Sequence, residues 1–183
     1  MISIDESFFE TPAGQTIAGA HKYLSAAKEL RFSETWKSRP TLLQAPTIHL
    51  LAHGIELLLK YHLLADGKSP DDVRRSFGHD LVKLWNDEAN RLLRPFILDQ
   101  AVDAWDEAKF SGKWPGNDFS DDPRSSLLGA LDHIGYLHGS DSGYALRYIV
   151  TPNTWAPRPA FLIDVFGYAA ERCTMNPRLL IEK

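Results

Sequence analysis

The stretch PTIHLLAHGIELLLKYHLLADG, Pro46 to Gly67, decides the fold. Leu50, Leu51, Ile55, Leu57, Leu58, Leu59, Leu63 and Leu64 surround most of a helical cylinder. A helix that is apolar on nearly every side belongs at the centre of a core or under a partner. Proline is tolerated in the first turn of a helix, and glycine marks the stop. The pattern therefore predicts a helix from about Ala45–Pro46 to Ala65. Burying five of its leucines and isoleucines contributes about 10 kcal/mol of gross transfer energy, at roughly 2 kcal/mol each, and chain entropy offsets most of it. The stretch is not read as a membrane span. Three histidines, a glutamate and a lysine interrupt it, and a span needs about 20 nearly unbroken apolar residues.

Working outward, helical signals dominate. Ile17, Ala20, Leu24, Ala27 and Leu30 recur at three- and four-residue steps, which predicts a helix over about Thr16–Arg31. Pro40 is expected to break the chain. Ser69-Pro70-Asp71-Asp72 has the form of a helix start, with a short helical run to Ser76. Asp80 is expected to cap a helix that continues to about Leu93, and Pro95 to open another to about Phe110. The region 111–124 is rich in glycine and proline and reads as an exposed loop. Helices over about Ser125–His138 and Pro159–Met175 follow, with an extended segment near 144–150 between them. The expected architecture is one all-α domain over 1–183, an antiparallel helical bundle of four core helices plus additional ones. Its core covers about 15–110 and 125–176.

At 183 residues the chain can bury a core without metal or disulfide support. Its 20 basic and 24 acidic side chains give a net charge of −4, so any anion binding must be local. The only cysteine is Cys173, which excludes an intrachain disulfide and multi-cysteine zinc patterns. With an acidic N-terminus unlike a secretory signal, this predicts a cytoplasmic protein.

No phosphate-binding glycine loop, HExxH or GxSxG motif is present. His49, His53 and Glu56 fall on one helix face at spacings of four and three. They are polar groove positions, or metal ligands if a further ligand comes from elsewhere in the fold. Glu56 and Lys60 form an i,i+4 ion pair in the favourable order. Charges among so many leucines must be paired or reach water. Arg74 and His79, flanking a break, could grip a phosphate and move a proton. His133 and His138, five apart, do not share a face. The helix dipole suffices to explain His138 at a C-terminus.

The segment HGIELLLKYHLLADG, followed by GHDLVKLWNDEA, resembles the HEPN-like superfamily of helical-bundle proteins. The matching features are Glu56 and Lys60 as E-x-x-x-K on an apolar helix, a glycine stop, and Gly78-His79-Asp80-Leu81 opening the next helix. Tyr144-Ala145-Leu146-Arg147-Tyr148 ahead of a proline-containing link adds to the likeness. The resemblance implies a bundle that dimerises and serves RNA, nucleotide or defence processes, with RNA or a nucleotidyltransferase-type protein as partner. It implies either a non-catalytic interaction protein or a metal-independent ribonuclease using Arg74 and His79. The expected binding groove comprises His49, His53, Glu56, Lys60, Asp80 and Arg147. No cofactor is implied.

Overall fold

A computed structural model describes residues 6–146 and 156–181. Among these residues the regular structure is entirely helical, which bears out the all-α reading. After a 3₁₀ turn at Glu6–Glu10, the α-helices are α1 (Pro12–Phe32), α2 (Glu34–Ser38), α3 (Pro40–Ala65), α4 (Pro70–Phe77), α5 (Leu81–Asn86), α6 (Leu93–Ser111), α7 (Pro123–His138) and α8 (Pro159–Met175).

Local chemistry sets these boundaries. Thr11, Ser33, Ser69, Asp80 and Asp122 each accept a hydrogen bond from a first-turn amide of the helix that follows. Such caps satisfy donors that the helix itself leaves orphaned. Pro40 opens α3 instead of breaking the chain, and Pro46 lies inside the helix. Proline at 46 withholds an amide from the Leu42 carbonyl. Leu42 is 56% exposed, so water can replace that bond at little cost.

The helix expected from Asp80 to Leu93 stops at Asn86. Asp87 takes an extended conformation, and its carboxylate accepts from the Ala89 amide and from Lys68. Buried Asn90 donates to the carbonyls of Leu59 and Leu84, which fixes the break against α3. The loop after α6 is only partly exposed. Trp114 is buried and donates its Nε1–H to Asp164 of α8. The extended segment expected near 144–150 begins with bends and turns at residues 144–146, and the rest of it lies outside the described residues.

The helices close a circuit around one core. α1 packs on α3 and α8, α8 on α6, α6 on α7, and α7 returns to α3 and α5. α3 is long and apolar enough to cross a membrane by length and composition. In this fold Leu51, Ile55, Leu58, Leu59 and Leu63 are instead covered completely by the chain's own helices. α3 thus lies at the centre of the core, with Leu50, Leu57 and Leu64 only partly buried. The α1–α3 approach is close enough to require glycine at 54, where a Cβ would stand 2.6 Å from Leu24 Cγ.

Candidate acid–base site around Glu56

Glu56 lies on the polar side of α3, yet its side chain is only 2% exposed. An ionised carboxylate in such a place must be met by donors. Lys60, one turn later, donates to Oε1 at 2.5 Å. The same ammonium donates to the Gly78 carbonyl at 2.6 Å. Gly78 has φ +53° and ψ −115°, a conformation nearly restricted to glycine. That kink presents its carbonyl to Lys60 and turns the next residue, His79, inward. His79 Nδ1–H donates to Glu56 Oε2 at 3.0 Å, while the imidazole stays 38% exposed. His138, the last residue of α7, is fully buried and donates Nε2–H to the same oxygen at 2.6 Å. His53 Nδ1 is more distant, 3.7 Å from that oxygen.

Burial alone would push the Glu56 carboxyl up. Donation from His138, His53 and Lys60, together with the Lys60 charge, outweighs it and holds the group far below the usual carboxylate range. Glu56 is therefore an anion at neutral pH. Donation to the carboxylate places a proton on His79 Nδ1. A histidine with one nitrogen held by a buried carboxylate and a partly solvated ring is suited to accept and return a proton.

The other expected residues fall variously. The His49 ring lies 6.2 Å from that of His138, on the margin of the cluster. Asp80 is exposed and caps α5, accepting from the Lys83 amide at 2.8 Å. Arg74 is 78% exposed on α4 and pairs with Asp71 at 3.1 Å, so it is not among the groups around Glu56. Arg147 lies outside the described residues.

His138 is the site residue that the sequence reading missed. A signal was available: Leu127, Leu131, Ile134 and His138 form one helical stripe, and the first three are buried. A histidine completing an apolar stripe is a buried histidine. His53, Glu56 and His138 also offer ligand atoms within 4.8 Å of one another. His49, the third residue of the set expected on α3, is not among them, and His138 of α7 stands in its place.

No protein-family model, curated protein or solved structure matches this chain.

Proposed function

We propose that this chain is a HEPN-like helical-bundle protein acting on RNA, with His79 as general base and Glu56 as the group that orients it. The observation that carries the reading is the 3.0 Å contact from His79 Nδ1 to a buried carboxylate, on a ring still open to solvent. The Glu56–Lys60 ion pair also gives the E-x-x-x-K arrangement a physical purpose. It fixes the carboxylate and, through Gly78, the backbone that presents His79.

In this reading His79 Nε2 takes the proton of an RNA 2′-hydroxyl. The 2′-oxygen bonds to phosphorus, the bond to the 5′-oxygen breaks, and that oxygen leaves with a proton from solvent. The products are a 2′,3′-cyclic phosphate and a 5′-hydroxyl. Arg74 has no part in this scheme.

Purified protein incubated with total RNA in EDTA tests the proposal. Cleavage is expected, with a loss of about 100-fold in His79→Ala, the usual scale for removing a general base. Arg74→Ala should retain activity. Intact RNA with the unaltered chain, or cleavage indifferent to His79→Ala, sinks it.

The convergence of His53, Glu56 and His138 favours a second reading, a metal-dependent enzyme. Two histidines and one glutamate are a ligand set known for catalytic zinc, with one position open. Elemental analysis of protein purified without a nickel column decides between the readings. About one metal ion per chain, together with loss of activity in EDTA, selects the metal reading. Its absence, with no gain on adding zinc or manganese, ends it.

A further inference from the structure

A cavity of about 760 Å³ lies away from Glu56, between the end of α1, the loop before α7 and the start of α8. Its size is within the roughly 300–1,000 Å³ of small-molecule sites. Trp36, Trp105, Trp114 and Phe161 give it flat aromatic walls. Two cations, Arg31 and Arg158, also line it.

Arg31 is the unusual member. Its Nε is buried and, among the described residues, has no hydrogen-bond partner. The guanidinium rests on ring faces, 4.9 Å from Trp36 and 5.3 Å from Phe32. Asp164, whose charge acts on Arg31, is already engaged by Trp114 Nε1 at 3.0 Å and Lys113 at 3.1 Å. Burial pushes Arg31 down from its ordinary value, and Asp164 only partly offsets this. Arginine nevertheless stays charged near neutral pH. A half-buried cation with an unpaired donor is stabilised by an anion. Arg158 is exposed and donates to Asn117 Oδ1, another residue of the lining, at 2.6 Å.

The acids at the rim refine the ligand. Asp118 is bonded to the Ser120 amide and hydroxyl, and Asp121 lies nearby. Carboxylates beside arginines disfavour a ligand that is anionic throughout. They suit one that is anionic at one end and rich in hydroxyl or amino donors elsewhere.

We propose that this cavity binds a nucleoside monophosphate, its base against the tryptophans, its phosphate on Arg31 and Arg158, and its ribose or base donors toward Asp118 and Asp121. The inference does not rest on the acid–base reading of Glu56, because no residue is shared.

Titration calorimetry with the full chain tests it, using AMP, GMP, CMP and UMP against adenosine, ribose 5-phosphate and inorganic phosphate. Saturable binding is expected for at least one monophosphate, at least about tenfold tighter than for its parts. Arg31→Met and Trp36→Leu should each weaken it about tenfold or more, with circular dichroism and melting showing both variants folded. Arg158→Gln, at an exposed position, tests the same phosphate without risk to folding and should weaken binding by a smaller factor. His79→Ala should bind like the unaltered chain, so failure here is distinct from failure of the ribonuclease assay. No saturation by about 5 mM of any monophosphate overturns the proposal. So does equal binding of inorganic phosphate, or unchanged binding in folded Arg31→Met and Arg158→Gln.

Discussion

Glu56 and Arg31 are both charges drawn into a helical bundle, and their surroundings are opposite. Glu56 receives hydrogen bonds from Lys60, His79 and His138, gathered from three segments. Arg31 has a buried Nε without an acceptor among the described residues and lies against aromatic faces beside a cavity. The first charge is satisfied by the fold, so removing it leaves orphaned donors. The second is not, so its removal should cost the fold little and cost a ligand much. A charge drawn into a fold can thus be part of the scaffold or part of a binding site, and its partners show which.

The largest expected effect tests the satisfied side. Glu56→Gln should destabilise the chain by about 3–5 kcal/mol, because Lys60 and buried His138 lose their anion. Urea unfolding measures this. A loss below about 1 kcal/mol would mean that the donors do not depend on the carboxylate, erasing the contrast with Arg31.

Acid titration sharpens the same point. His62, also buried on α3, donates Nδ1–H to the Leu58 carbonyl and, among the described residues, has no partner for Nε2. Burial pushes its imidazole down to about 4, against the opposing backbone hydrogen bond. Above the unfolded value of about 6.5 neither state is protonated, and stability is full. As pH falls from about 6.5 to about 4 the unfolded chain takes up the proton first, and about 3 kcal/mol is lost. Glu56 has the same sign but acts lower. Its contribution is present above the unfolded carboxyl value of about 4.5 and is lost only as pH falls below it. Unfolding free energies against pH should therefore decline in two stages. His62→Gln should flatten the upper stage and leave the lower one. A flat curve from pH 7 to 5 in the unaltered chain would contradict the assignment.

The smallest effect belongs to the unsatisfied charge. Arg31→Met, without ligand, should change stability by less than about 1 kcal/mol, or raise it slightly, since no ion pair is broken. Thermal melting reads this directly. A loss comparable to that of Glu56→Gln would move Arg31 to the structural side of the comparison.

Much of this was legible in residue order. The Pro46–Ala65 stretch announced the core helix, and the eighth helix has the expected bounds, Pro159 to Met175. The Glu56–Lys60 pair follows from spacing alone. Other features were not legible, for definite reasons. Pro40 and Pro46 have the same local chemistry, and only the exposed position of Leu42 makes the second tolerable inside a helix. Asp87 and Asn90 interrupt a helical pattern through bonds to Lys68 and Leu59, distant in sequence. Arg74 and His79 look like a pair along the chain, but the Gly78 kink sends His79 to Glu56 and leaves Arg74 on the surface with Asp71.

By itself the sequence determined that this chain is all-helical, that α3 is its axis, and that Glu56 must find partners, because periodicity, capping and the cost of a buried charge are local matters. Only the tertiary structure decided who those partners are. His138 is 82 residues from Glu56, and the cavity beside Arg31 is lined by four separate stretches of chain. Such meetings depend on how helices pack, and packing is fixed by the shape of the whole core, not by any one segment.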